Sequence, residues 1–313
     1  MAVDAVTAEV VSALADDGVD SLLLKGPSVA DWLYDDDSRT YVDSDLLVAP
    51  DRMAAARATL ERLGFRQQFG SLPHPGMEAP PSAPWQRDAF QVDLHERLEG
   101  AMADRGRLWG VLWKGRTELV VGGRSVAALG ESARLVHVAL HAAHHGPRAE
   151  KPLRDLRRAL DRLDDASWAA AAEVAGEIGA ASAFAAGLDL VPEGRALLER
   201  LEMAVPSSPT WFLEHDETPV AAGIERVREA NGLGAKLAIV RHEAFPSAEF
   251  MRWWTPLARR SQPGLIAAYV WRWAFLLGHL PGALVAGRRA RARASERANL
   301  ARAGAVRPPE KPH

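Results

Sequence analysis

The chain has 313 residues, of which 48% are hydrophobic and 25% are charged, and it contains no cysteine. This composition is typical of a soluble globular protein of one or two domains, and the lack of cysteine excludes disulfides, thiolate nucleophiles and cysteine metal sites. The formal net charge of −3 predicts no overall attraction to nucleic acid. Because the first residues lack a cationic segment followed by a long apolar core, we expect no signal peptide and a cytoplasmic protein.

The first elements predict an α/β layer. Residues 3–17 carry apolar side chains at helical spacing, and residues 22–24 are a short apolar run typical of a buried strand. Residues 51–63 predict a helix that begins near Asp51 and ends before Gly64. Alternation of strands and helices in this way favours helices packed on a sheet.

A turn of the sequence Lys25-Gly26-Pro27-Ser28 separates the first strand from a short helix, which we expect Ser28 to cap. Glycine allows close approach of the backbone to a phosphate, and the amides at the start of a helix favour an anion. Lys25 and Arg39 could add positive charge for a triphosphate. An ordinary strand-to-helix turn with surface ion pairs is the alternative.

Three aspartates predict a metal site. Residues 41–48 form the second predicted strand, on which Asp43 and Asp45 point to the same face. Adjacent carboxylates repel each other unless a cation lies between them, and oxygen ligands suit Mg²⁺. Residues 90–94 predict another strand, with Asp93 and His95 on one face. If the two strands are neighbours, the three carboxylates meet; the alternative is three solvated or capping aspartates.

The next segments are a proline-rich stretch and a hairpin. Residues 66–88 contain five prolines, which predicts neither a regular helix nor a central strand but a surface loop or a flap over the substrate. Residues 117–121 and 124–129 flank Gly122-Gly123, which is typical of a two-residue hairpin turn. We expect a domain boundary near Gly130, between a domain of residues 1–130 and one of residues 131–313.

Helical patterns dominate from residue 131 onwards. The first of these helices carries four histidines: His137, His141, His144 and His145. By helical spacing, we expect one or two of them to face the cleft between the two predicted domains. Packing roles and a zinc cluster are the alternatives. On the next helix, Arg154 and Asp155 predict a structural ion pair.

One late stretch is similar to a membrane segment in its apolar composition. Residues 265–287 are mostly apolar, but a central Arg272 argues against a transmembrane segment and favours a buried helix. An arginine-rich run, residues 288–307, follows and predicts a basic tail that could contact a membrane surface.

The motifs together resemble the polymerase-β-like nucleotidyltransferase superfamily. The residues that carry this resemblance are Leu24, Gly26, Ser28, Asp43, Asp45 and Leu46. A closer resemblance is to the uncharacterised bacterial nucleotidyltransferases that have LKG…DxDLLV…VDLH motifs, here at Lys25-Gly26, residues 43–48 and residues 92–95. It extends to the histidines near His141 and covers about half of the chain. Pro27 and Ser44 depart from the usual pattern.

The resemblance implies an α+β fold, in which an N-terminal nucleotidyltransferase domain with a mixed β-sheet is followed by an all-helical domain. It implies transfer of a nucleoside monophosphate from an NTP to a hydroxyl group of a small molecule or a natural-product peptide, with Mg²⁺ or Mn²⁺ and release of pyrophosphate. The alternative is a non-catalytic nucleotide-binding module with an adaptor or antitoxin-like role. The implied catalytic and metal-binding residues are Asp43, Asp45 and Asp93, and the implied nucleotide-binding residues are Lys25, Gly26, Ser28, Arg39, His95 and His141.

Overall fold

The protein is described by a computed structural model over residues 2–35, 39–68, 82–205, 208–215 and 218–305. The described residues divide into two compact units, the first ending at Val205 and the second beginning at Ser208. Helices from the segment 131–205 belong to the same compact unit as the sheet. A functional boundary near residue 130 stays a prediction.

The first unit is built on a mixed sheet. Its strands are β1 (Ser21–Leu23), β2 (Asp43–Val48), β3 (Arg66–Gln67), β4 (Ser82–Arg87), β5 (Phe90–His95), β6 (Thr117–Val121) and β7 (Arg124–Ala128). They are hydrogen-bonded in the order β3-β4-β5-β2-β1-β7-β6. β2 pairs in parallel with β5 and β1 with β7, whereas the other pairs are antiparallel. The hairpin predicted at Gly122-Gly123 is confirmed, and both glycines have positive φ as the tight turn requires.

Helices cover both faces of this sheet. They are α1 (Ala2–Asp16), α2 (Pro27–Leu33), α3 (Met53–Arg62), α4 (Arg105–Lys114), α5 (Glu131–His145), α6 (Glu150–Arg162), α7 (Asp165–Glu177), α8 (Ala181–Leu188) and α9 (Pro192–Arg200). Helices α1 and α3 pack on one face, and α2 with α4–α9 form the core on the other. Burial on both faces explains the uninterrupted apolar run in β1, because Leu23 joins the first core whereas Leu22 and Leu24 join the second.

Two local predictions are wrong. Helix α2 begins after Gly26, which has φ 70° and makes no side-chain cap; the Ser28 hydroxyl instead donates to the Leu24 carbonyl oxygen. Residues 82–87 form β4 rather than a loop. Pro84 is tolerated in β4 because only the two-residue strand β3 separates β4 from the edge of the sheet. The proposed flap falls mainly on residues 69–81, which lie outside the described residues.

The second unit consists of helices. They are α10 (Pro209–His215), α11 (Pro219–Glu229), α12 (Leu233–Ala244), α13 (Ala248–Trp254), α14 (Leu257–Arg260) and α15 (Gln262–Ala305). Helix α15 extends beyond residues 265–287, where the sequence predicts a helix, because Pro281 does not end it. In the described part of the chain, no helix has both the length and the apolar character needed to cross a bilayer. The predicted α+β class, a mixed sheet followed by helices, is confirmed.

Candidate active site

The parallel pairing of β2 and β5 brings the predicted site residues together. In this register Asp45 lies opposite Asp93, and the next residue on the same face, Leu47, lies opposite His95. Asp43 shares that face but lies opposite Gln91 at the beginning of the strand. The other face of β2 carries Ser44, whose hydroxyl shares a hydrogen bond with Thr7 of α1. This contact explains why a polar residue is tolerated between the two aspartates.

Three of these side chains form a group that could hold a metal ion. One ligand atom each from Asp45, Asp93 and His95 lies within 4.8 Å of the others. His95 takes the place in this group that the sequence assigned to Asp43, which is not among the three. The predicted metal role of Asp43 remains a prediction.

Asp45 is the centre of the group and is only 1% exposed. Its Oδ1 accepts hydrogen bonds from the Lys25 Nζ at 2.9 Å and the His95 Nε2 at 3.0 Å. Its Oδ2 is buried and has no hydrogen-bond partner in the described structure. Burial acts to raise the pKa of Asp45, but the His95 hydrogen bond and the Lys25 charge outweigh it, so the pKa lies below its usual value. The carboxylate is therefore ionised, and its Oδ2 has no partner among the described residues that would compete with a cation.

The neighbouring charges also indicate a cation site. Burial and the negative charge of Asp45 raise the pKa of Asp93. Burial acts to lower the pKa of Lys25, but attraction to Asp45 and to the two other aspartates raises it overall. Lys25 thus neutralises part of an acidic cluster that keeps an unpartnered buried oxygen. These donors fit a divalent cation, because carboxylate oxygens suit Mg²⁺ and Mn²⁺ and an imidazole is also an accepted ligand of transition metals.

The predicted phosphate turn lies directly before α2. Gly26 adopts a positive φ, which other residues rarely do, and its carbonyl oxygen accepts the first amide hydrogen bonds of the helix. Ser28 is fully buried, so its hydroxyl faces the protein interior. Lys25 reaches the acidic cluster from this turn. The predicted contacts of these three residues with phosphate stay predictions.

Arg39 lies in a buried ion pair that the sequence did not reveal. Its guanidinium donates to both carboxylate oxygens of Asp155 on α6, at 2.9–3.1 Å, and its Nη1 donates to the Gly26 carbonyl oxygen at 3.4 Å. The side chains of the pair are only 4% and 3% exposed. Asp155 also accepts a hydrogen bond of 2.6 Å from the Tyr34 hydroxyl, and burial together with this bond raises the pKa of Tyr34 to about 12. Through the Arg39 hydrogen bond to Gly26, the network stabilises the turn before α2.

The α5 histidines lie on the same side of the sheet as Asp45. The rings of His137 and His141 stack with their centres 6.0 Å apart, and His144 pairs with Glu99 at 3.1 Å. Burial lowers the pKa of His137 to about 3 and, together with the neighbouring His137, lowers that of His141 well below its usual value. Both imidazoles are therefore neutral. In the described part of the chain, the histidines of α5 do not form a metal-binding group of their own.

Comparison with known proteins gives a family match within the first unit. A family model described as an uncharacterised nucleotidyltransferase matches residues 1–193, which include the sheet, the acidic cluster and helices α1–α8. None of the curated proteins matches the sequence.

Solved structures of nucleotidyltransferases are distantly similar. The solution structure of the antibiotic-resistance factor ANT(2'')-Ia has 16% identity and a TM-score of 0.41, covering 56% of this chain and 93% of that one. A crystal structure of ANT(2'')-Ia with adenylyl-2''-tobramycin has 17% identity and a TM-score of 0.41, covering 56% and 98%. An antigenic nucleotidyltransferase-like protein from Paracoccidioides brasiliensis has 14% identity and a TM-score of 0.39, covering 65% and 93%. The family match, which is independent of these structures, carries the classification.

Proposed function

The chain belongs to the family of uncharacterised nucleotidyltransferases and is an enzyme of that class, and we propose that it transfers a nucleoside monophosphate from an NTP to a hydroxyl group with the help of Mg²⁺ or Mn²⁺. In this reaction the hydroxyl oxygen forms a bond to the α-phosphorus. The bond from that phosphorus to the bridging oxygen breaks, and pyrophosphate leaves. The proton of the hydroxyl passes to a base on the protein.

The observation that best supports metal dependence is the unpartnered buried oxygen of Asp45 beside Asp93 and His95. These three side chains would hold the cation, and Asp43 would join them from the same face of β2. A divalent ion at such a place neutralises charge on the phosphates and on the departing pyrophosphate. A buried anionic oxygen without any partner is otherwise costly, which favours a ligand at this point.

Asp93 is the carboxylate that we assign to the acceptor side. In the metal-free protein, burial and the charge of Asp45 raise its pKa, which is the direction that favours proton acceptance. Asp45 remains ionised and binds cations. The two neighbouring carboxylates thus have different roles because their surroundings move their pKa values in opposite directions.

Lys25 and the turn at Gly26 are the groups that we assign to the triphosphate. The side chain of Lys25 is 22% exposed and its ammonium group lies at the acidic cluster, so it could contact a phosphate oxygen close to the cation. Arg39 acts on the same turn through its hydrogen bond to Gly26. We place His141 and the other neutral imidazoles of α5 beside the substrate, where they add hydrogen-bonding groups without adding charge.

The proposed acceptor is a hydroxyl-bearing small molecule, such as a sugar or an antibiotic, or a natural-product peptide. The test is to incubate the purified protein with each NTP, with Mg²⁺ or Mn²⁺, and with panels of these acceptors, while measuring pyrophosphate release. Thermal unfolding with and without NTP provides a second readout, because a ligand that binds only the folded state raises the melting temperature.

We expect NTP with Mg²⁺ or Mn²⁺ to raise the melting temperature, EDTA to remove most of the rise, and at least one acceptor to elicit pyrophosphate. The test variant is Asp45→Asn in the cluster, and its matched control is Asp51→Asn on the surface, where the side chain is 80% exposed. Binding that persists equally in EDTA and in Asp45→Asn would contradict the metal site. Metal-dependent binding without pyrophosphate across all acceptors would instead favour a nucleotide-binding module.

A further inference from the structure

An exposed apolar stripe runs along α15 in the second unit. Six large side chains on it are 39–67% exposed although they are apolar: Ile266, Val270, Trp273, Leu277, Leu280 and Leu284. Their spacing of four and three residues alternately places them along one side of the helix. At a rise of about 1.5 Å per residue the stripe is roughly 27 Å long. Soluble monomers rarely expose continuous apolar patches of this extent.

A different side of α15 packs inside the second unit. Leu265 and Ala268 belong to one buried cluster of this unit, and Ala283 and Ala290 belong to another. The charged group in the first half of the helix, Arg272, faces inward, where it donates to the backbone of Glu243. The exposed side therefore presents no arginine, lysine or acidic residue between Ile266 and Gly287.

Helix α12 extends the apolar surface. Leu233, Leu237 and Val240 are exposed at the same alternating spacing, and Phe245 follows at 64% exposure. The ring of Phe245 contacts that of Trp273 with their centres 5.7 Å apart. The two exposed surfaces thus join near the middle of the stripe.

A cavity lies beside the stripe, between the beginning of α11 and α15. Its volume is about 570 Å³, and its lining includes Val220, Ala221 and Phe275. Gly278 and Gly282 line the side formed by α15, where they leave room that larger side chains would fill. The lining is mostly apolar, so the cavity suits a hydrocarbon group rather than a charged one.

Basic residues follow the apolar stripe directly. Arg288, Arg289 and Arg293 are exposed on the next turns of α15. Residues 208–313 contain 16 lysines and arginines against 9 aspartates and glutamates, a net charge of +7, whereas residues 1–207 contain 22 against 32, a net charge of −10. The positive charge of the protein is therefore concentrated in the part of the chain that also exposes the apolar surface.

We propose that the second unit binds an anionic lipid surface, with the exposed apolar side chains of α12 and α15 against the acyl chains and the arginines against the headgroups. A basic helix with tryptophan and leucine on its exposed side is suited to this position. A second copy of the chain would bring two surfaces of the same positive charge together. The residues that flank the stripe, such as Ala267 and Ala274, also lack the charges that commonly direct pairing of helices.

The test is cosedimentation of the full chain with vesicles of phosphatidylglycerol and phosphatidylcholine in equal parts, compared with phosphatidylcholine alone. We expect at least about 10-fold stronger binding to the anionic vesicles at 0.1 M salt, and release at 0.5 M salt, because each arginine near such a surface contributes a severalfold gain that salt screens.

Two sets of variants locate the surface. Ile266→Glu with Leu277→Glu should abolish binding, and Arg288→Ala with Arg289→Ala should weaken it about 10-fold or more. The matched control is Val120→Glu on β6 of the first unit, which places the same charge at a side chain that is 75% exposed. Circular dichroism checks that each variant is folded. If the glutamate variant does not fold, the arginine variants and the salt dependence still test the proposal.

Three outcomes would overturn the proposal. The first is equal binding to neutral and anionic vesicles. The second is binding that the stripe and arginine variants leave unchanged. The third is no vesicle binding at all, together with a dimer in light scattering that Leu277→Glu dissociates, which would assign the stripe to a second copy of the chain.

Discussion

The buried pair between Arg39 and Asp155 offers a sharp test of how the site is supported. Asp155→Asn keeps the size of the side chain but removes the charge that faces the guanidinium. Because the two side chains are only 4% and 3% exposed, water cannot replace the lost partner. Removal of one member of a buried ion pair costs about 3–5 kcal/mol. For a unit of this size, each 1 kcal/mol lowers the melting temperature by about 2–4 °C, so we expect a fall of roughly 6–20 °C.

The measurement is calorimetric unfolding beside that of Asp35→Asn. Asp35 forms an ion pair with Arg162 in which the side chains are 81% and 45% exposed, and such pairs contribute at most about 1 kcal/mol. The double variant Arg39→Met with Asp155→Leu should recover part of the stability, since apolar residues often replace a buried ion pair without loss, whereas the buried Tyr34 hydroxyl still loses its acceptor. A change in Asp155→Asn no larger than that in Asp35→Asn would refute the argument.

The same variant separates two roles of Arg39. If Arg39 supports the turn through its hydrogen bond to Gly26, Asp155→Asn should weaken nucleotide binding and raise the KM for NTP more than it lowers kcat. If Arg39 instead contacts phosphate directly, releasing it from Asp155 should leave the KM unchanged or lower it. Titration of a non-hydrolysable NTP provides the affinity without turnover.

Three further predictions concern the acidic cluster and its surroundings. Asp45→Asn should remove the stabilisation by Mn²⁺ in thermal unfolding and reduce turnover by about 100-fold or more, and a normal Mn²⁺ effect would exclude Asp45 as a ligand. Asp93→Asn should raise the melting temperature of the metal-free protein at pH 7, because a carboxyl group whose pKa is raised in the folded state destabilises the fold when it is ionised. A lower melting temperature would contradict this sign. Pyrophosphate release by the same variant should fall by about 100-fold or more. His137 has a folded pKa of about 3, so the unfolded chain takes up a proton below pH 6.5 that the folded chain does not. Urea unfolding should therefore show a loss of about 1.5–2 kcal/mol between pH 6.5 and 5 that His137→Leu lacks, and equal slopes in the two proteins would refute it.

Local structure was largely predictable because it depends on residues close in the chain. The glycine pair of the hairpin, the apolar run of β1 and the helical spacing after residue 130 each predict an element that the structure confirms. Errors arose where a partner elsewhere in the fold overrides local preference. Ser28 could cap α2, but it is buried and donates to Leu24; the prolines near β4 indicated a loop, but pairing with β5 holds residues 82–87 extended.

The sequence alone determined that Asp43 and Asp45 share one face of a strand and that Asp93 and His95 share one face of another, because side chains alternate along any strand. It also predicted a nucleotidyltransferase, and the family match over residues 1–193 confirms that classification. Only the tertiary structure decided that the two strands are parallel neighbours with Asp45 opposite Asp93, that His95 rather than Asp43 completes the group of three, and that Arg39 pairs with Asp155 across 116 positions of the chain. The reason is physical: periodicity is a property of the local backbone, whereas strand pairing and the partners of buried charges depend on how distant segments pack.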